Sequence, residues 1–169
     1  VWNTVQDHNG YIDVINRESG TTFELYFPIT REELSLKALT VPIEDYRGNG
    51  EMILVVDDVA SQREISCQLL NKLGYRTEAV SSGEEAVEYL KENTVDLILL
   101  DMIMDPGING RETYERIIKI HPEQKAIIVS GFAETDDMKE TQKLGAGKFL
   151  RKPLTVEEIG LAVKEEIQK

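Results

Sequence analysis

"EMILVVDDVASQREI", residues 51–65, runs from an oily stretch straight into two adjacent carboxylates. Met52 to Val56 are apolar without a break, which predicts a strand covered on both faces. Asp57 and Asp58 then stand at its carboxyl end. Two anions side by side repel, so this strand end requires a cation nearby or an exit into water. The following "SQREISCQLLNKLG" places Ile65, Leu69 and Leu73 on one helical face and stops at Gly74.

The same alternation continues to the end of the chain. "RTEAV", "VDLILLD", "KAIIVS" and the short "KFL" read as strands. "GEEAVEYLKEN", "NGRETYERIIKIH", "AETDDMKETQKLG" and "TVEEIGLAVKEEIQ" read as the helices between and after them. Capping boxes are expected at Ser61 with Glu64, Ser82 with Glu85 and Thr155 with Glu158, with a looser version at Asn109 and Glu112. Five β-α units of this kind predict a parallel sheet with helices on both faces.

Residues 1–30 follow a different pattern. "VWNTVQDH" reads as the end of a helix, and "GYIDVIN" and "TTFELYFPIT" as antiparallel strands joined by "RESG". Phe23, Leu25, Phe27 and Ile29 alternate with Thr22, Glu24 and Tyr26, giving the hairpin one apolar face. Residues 31–49, with their proline, charges and Gly-Asn-Gly end, read as a linker to a domain at 50–169.

Composition narrows the function. The formal charge is −12, with 8 acids and 4 bases in residues 1–49 and 23 acids and 15 bases beyond. No basic patch is available to neutralise phosphates, so direct nucleic-acid binding is not expected. The single cysteine, Cys67, excludes an internal disulfide and fits a reducing compartment; on its helix it reads as a small core residue. There is no run of about 18 apolar residues, so no membrane contact is expected. The chain opens without Met, inside an apolar pattern, and is expected to be part of something longer.

In a doubly wound sheet, ligands bind beyond the carboxyl ends of the strands. Those ends carry Asp57 and Asp58, then Asp101, then Ser130, and finally Lys152 before Pro153. Each alone has an ordinary reading: a residue leading into a helix, a solvated turn, a turn hydroxyl, a surface lysine. Together they put three acids, a hydroxyl and an amine on one rim. Two charges about 4 Å apart interact with roughly 4 kcal/mol at an effective dielectric of about 20. A hard divalent cation removes that cost, and Mg²⁺ suits one or two carboxylates plus waters and phosphate oxygens. Lys152 and Ser130 are suited to phosphoryl oxygens, and a central carboxylate can be a nucleophile.

With those residues in place, the chain resembles the receiver domain of two-component signalling. "ILVVDD", "DLILLDMIMDPGING", "AIIVSG" and "KFLRKPL" match its signature segments in order and at the right spacing. The resemblance implies a doubly wound (βα)5 flavodoxin-like sheet of strand order 2-1-3-4-5. It implies that Asp101 accepts a phosphoryl group from phosphohistidine, and that Mg²⁺ is held by Asp58 directly, by Asp57 mainly through water, by Asp101 and by the backbone carbonyl of Ile103. Ser130 and Lys152 would hold the phosphoryl oxygens, and the bond before Pro153 would be cis. Ser130 and Phe149 would form the switch, Phe149 standing where Tyr is frequent, and the fourth helix, fifth strand and fifth helix would be the output face. The implied partners are a phosphohistidine-bearing kinase domain or a histidine phosphotransfer domain, in the cytoplasm. Two departures stand out. The loop "MIMDPGING" is one residue longer than usual, with Asp105 before Pro106, and Ile103 and Phe132 are both apolar where side chains govern water access to the acyl phosphate.

Residues 1–30 resemble the last helix and two strands of a histidine-kinase ATP-binding domain, which followed by a receiver is the layout of a hybrid histidine kinase. The parent would then be a kinase, membrane-anchored or not. This chain, without the ATP-holding segments, is expected to phosphorylate nothing. His8 matches the turn before the hairpin, and His121 a helix end before Pro122. Homodimerisation through the hairpin edge or the output face is a further expectation. Two other readings stand beside the receiver: an Mg-dependent phosphohydrolase with an Asp nucleophile, which usually carries a second acid where Ile103 stands, and an unphosphorylated pseudo-receiver used for docking.

Overall fold

The computed structural model describes residues 2–17, 19–29, 41–131 and 136–169. They fall into two compact units, residues 1–40 and 41–169. In the first, helix α1 (Trp2–Asp7) leads through His8 and Asn9 into strands β1 (Tyr11–Arg17) and β2 (Gly20–Tyr26). The strands pair antiparallel, with Ile12 opposite Leu25 and Val14 opposite Phe23 on one face. Gly10 is required at the entry: a Cβ there would stand 2.8 Å from the Tyr26 carbonyl oxygen and 2.9 Å from Val5. β2 stops at Tyr26, ahead of Pro28, so Phe27 and Ile29 lie beyond the strand rather than on it.

The second unit is the expected α/β layer structure. Among its described residues, strands β3 (Met52–Val56), β4 (Arg76–Val80), β5 (Leu97–Asp101), β6 (Ala126–Ser130) and β7 (Phe149–Arg151) form one parallel sheet. Its order, β4-β3-β5-β6-β7, is the 2-1-3-4-5 order expected. Helices α2 (Ala60–Lys72), α3 (Gly83–Glu92), α4 (Gly110–Ile120), α5 (Asp136–Lys143) and α6 (Val156–Gln168) complete it. No helix of the described residues is long and apolar enough to cross a membrane.

Strand alternation splits the core in two. Leu54, Val56, Ile98, Leu100 and Ile128 pack with Ala86, Leu90, Tyr114, Ile117 and Met138 from α3, α4 and α5. Ile53, Val55, Leu97, Leu99 and Val129 pack with Leu70 of α2, Leu73 at its C-cap, and Ile159 and Val163 of α6. Because both faces are covered, the central strands carry no polar face, and that made them legible as continuous apolar runs. The second cluster also takes in Tyr46, from a 3-10 turn at Ile43–Tyr46 inside the stretch expected as linker. Gly160 makes room for it, since a Cβ there would lie 2.3 Å from the Tyr46 ring.

Capping followed the sequence at two helices. Asn109 with Glu112 and Thr155 with Glu158 are full capping boxes, the first more complete than expected. At α3 the Ser82 side chain accepts the Glu85 N–H, but the Glu85 carboxylate turns to the N–H and hydroxyl of Ser81. The box expected at Ser61 and Glu64 does not form. α2 starts at Ala60 with Val59 as its N-cap, and Glu64 accepts from Gln68 instead. The cause is the preceding turn, where Asp57 Oδ1 accepts the Val59 N–H at 2.9 Å and carries the chain directly into the helix.

Candidate functional site

β3 ends where its last apolar residue gives way to Asp57, which is only 4% exposed. The turn after it is pinned by Arg63, one helical turn into α2. Its Nη1 donates to the carbonyl oxygens of Asp57 at 2.7 Å and Asp58 at 3.0 Å. Arg63 was not singled out from sequence, since an arginine in a first helical turn has no distinctive spacing.

The neighbouring strand β5 ends in Asp101, 6% exposed. Helix α4 begins hard against that strand end: a Cβ on Gly110 would come 2.4 Å from the Asp101 carbonyl oxygen, so only glycine fits there. Carboxylate oxygens of Asp57, Asp58 and Asp101 all lie within 4.8 Å of one another. The three acids expected to share one rim therefore do.

β7 brings the cation. Lys152 follows its last residue, and the Lys152 N–H donates to the Ser130 carbonyl at 2.8 Å, which fixes the backbone from which the amine reaches in. The ammonium Nζ sits 2.6 Å from Asp57 Oδ2 and 2.7 Å from Asp101 Oδ2, its side chain 14% exposed. Burial alone would lower the Lys152 amine, but the hydrogen bonds to Asp101 and Asp57 outweigh it and move it above its ordinary value. Burial pushes the Asp101 carboxyl up from its ordinary 3.8, against the opposing pull of Lys152 and of the Ile103 N–H, which donates to Oδ1 at 3.2 Å.

Ser130 closes β6, is fully buried, and stands one residue past the Val129 that pairs with Asp101. Phe149 opens β7 opposite Ile128 and packs half-buried on the α3–α5 side of the core. The bond before Pro153 is cis, as expected, and so is that between Asp105 and Pro106. In the loop after Asp101, Met102 and Met104 are buried while the Ile103 side chain is 51% exposed. Phe132 lies outside the described residues.

One ammonium against three carboxylates leaves two negative charges in excess when all are ionised. The donor set is all oxygen, the choice of a hard cation such as Mg²⁺. The site thus combines a buried carboxylate flanked by a fixed cation with room in its charge balance for a metal.

Comparison with known proteins agrees with this geometry. The response regulator receiver domain family matches residues 53–164. Sporulation initiation phosphotransferase F of Bacillus subtilis is 36% identical over 116 residues, 69% of this chain and 93% of that protein. Sensor kinase CckA of Brucella abortus is 28% identical over 159 residues, and the match covers 89% of this chain but 17% of the kinase. Among solved structures, a CheY-like receiver domain from Methanospirillum hungatei superposes with a TM-score of 0.66 at 26% identity, over 70% of this chain and 94% of that one.

Proposed function

The chain belongs to the response regulator receiver domain family of two-component signalling, and from that premise we propose that Asp101 is its phosphoacceptor. A carboxylate oxygen of Asp101 attacks the phosphorus of a phosphohistidine on a kinase or histidine phosphotransfer domain. The O–P bond forms as the N–P bond breaks, and the imidazole nitrogen leaves with the electron pair and takes up a proton. The Lys152 ammonium and the Ser130 hydroxyl donate to the phosphoryl oxygens. Asp57, Asp58, Asp101 and the Ile103 carbonyl would hold Mg²⁺, which supplies charge neutralisation for the entering phosphoryl oxygens. The observation that carries this reading is the Lys152 ammonium bridging Asp57 and Asp101 at 2.6 and 2.7 Å, inside a cluster of three acids. Such a fixed cation beside a buried carboxylate needs no reorganisation as charge arrives.

Ser130, drawn toward the phosphoryl group, vacates space into which Phe149 moves. Phenylalanine reports that change through packing alone, and α5, β7 and α6 carry it outward. Residues 1–30 are, in this proposal, the end of the ATP-binding domain of a hybrid histidine kinase, 31–49 the linker and 50–169 the receiver, working in the cytoplasm. A match to a sensor kinase covering 89% of the chain supports this. It leaves 11% of the chain outside, fewer residues than the 40 of the first unit.

The test is incubation with a small phosphodonor, followed by intact mass. Wild type gains one phosphoryl group in the presence of Mg²⁺ and none after chelation, and Asp101→Asn gains none. A metal-independent gain, or an equal gain in Asp101→Asn, would overturn the assignment.

A further inference from the structure

The loop between β5 and α4 carries one residue more than the usual receiver pattern, so something must hold its path. Its base is closed by the Gly110 N–H donating to the Met102 carbonyl at 3.1 Å, and two further hydrogen bonds tie its middle and end to other elements. At its middle the Asp105 N–H donates to Asp58 Oδ2 at 3.3 Å, and near its end the Ile108 N–H donates to Glu84 Oε1 at 3.0 Å. Glu84 is in the first turn of α3. Its other oxygen faces the same loop, since a Cβ on Gly107 would come 2.8 Å from Oε2. Gly107 has φ +126°, a conformation open to glycine. The Ile108 side chain is buried over Gly83, where a Cβ would lie 2.6 Å from it. Only Pro106 and Gly107 separate the Glu84 anchor from the N–H that touches Asp58.

We propose that Glu84 is a positioning residue for divalent-metal binding: by anchoring Ile108 it fixes the loop that aims the Asp105 N–H at the Asp58 carboxylate. The inference deepens the reading above and rests on it, because Asp58 must be a metal ligand for its orientation to matter. Ligating carboxylates are held by hydrogen bonds outside the metal's own shell, and losing such partners weakens binding. Glu84 has a plainer role as well, an acid favoured by the positive end of α3, but that role makes no demand on the loop.

Mg²⁺ titration calorimetry of the full 169-residue chain separates the two roles. Glu84→Gln keeps an oxygen that accepts the Ile108 N–H but loses the charge; Glu84→Ala loses both. Relative to wild type, Mg²⁺ Kd rises about tenfold in Glu84→Ala and stays within about twofold in Glu84→Gln, the larger figure being the low end for an outer hydrogen-bond partner. Amide exchange without metal gives a second readout: the Asp105 and Ile108 amides exchange faster in Glu84→Ala and at near wild-type rates in Glu84→Gln. Equal Kd values in the two variants, both weakened or both unchanged, would overturn the proposal, leaving Glu84 only its charge or no part in binding. A wild-type chain that takes up no Mg²⁺ would overturn the metal reading instead, while the exchange rates would still report on the anchor.

Discussion

Lys152 holds two buried carboxylates on one ammonium, and that makes it a residue of stability as well as of the proposed chemistry. Breaking a buried ion pair by removing one partner costs far more than never having built it, because the survivor keeps its desolvation penalty. Lys152→Ala should therefore lower the unfolding free energy of the metal-free protein by about 3–5 kcal/mol. Saturating Mg²⁺ should return a large part of that loss, since a divalent ion relieves the same repulsion. The sign with pH follows from Asp101, whose folded value is raised above 3.8 chiefly by burial. Folded Asp101 holds its proton more tightly than the unfolded chain does, so its own contribution to stability is fully present below 3.8 and is lost as pH rises through the folded value. The Lys152→Ala deficit should grow over that same window. Urea unfolding of wild type and variant, with and without Mg²⁺, measures all of this; a deficit indifferent to metal would remove Lys152 from the charge balance of the site.

The loop from Met102 to Asn109 is the element in which sequence and structure diverge most usefully. Met102 and Met104 turn inward and Ile103 outward, so a 51%-exposed apolar residue lies two positions after Asp101, the proposed acceptor. An apolar group there cannot orient an attacking water. Asn in its place adds a hydrogen bond worth roughly 0.5–1.5 kcal/mol, so Ile103→Asn should speed loss of the phosphoryl group roughly two- to tenfold. Decay of phosphorylated protein followed by intact mass checks it; equal rates would mean that water reaches the phosphorus by another path. The acids were legible because charged residues closing an apolar strand are conspicuous in one dimension; Lys152, after a strand that itself ends in Arg151, stood out only as one of a set of residues at strand ends. Glu84 and Arg63 were not legible, for each sits in a first helical turn where such residues are ordinary, and their partners are backbone atoms of a different turn or loop. The failed cap at Ser61 has the same origin: Asp57 captures the Val59 N–H, a choice made by the turn after β3 and invisible in a Ser-x-x-Glu spacing.

On the scale of the molecule, the two units face opposite problems. Residues 41–169 bury both faces of their sheet, including Tyr46 ahead of the first strand. The hairpin buries little: Val14 and Phe23, opposite each other on its apolar face, are 50% and 62% exposed, and Leu25 beside them is 47% exposed. A two-stranded sheet is marginal in water, and both its strands are edges open to pairing. An apolar face of this kind is removed from solvent by association. The full chain should therefore sediment as a larger, concentration-dependent particle, while residues 41–169 stay monomeric. The cut belongs at Val41 because deleting the turn around Tyr46 would open the core between Leu73 and Gly160 and confuse the comparison. Val14→Thr with Phe23→Thr should return the full chain to monomer without altering Mg²⁺-dependent phosphorylation, since neither residue belongs to the receiver unit. Sedimentation velocity across a concentration series decides the matter: matching monomers for the long and short chains would mean that the hairpin face recruits no second copy.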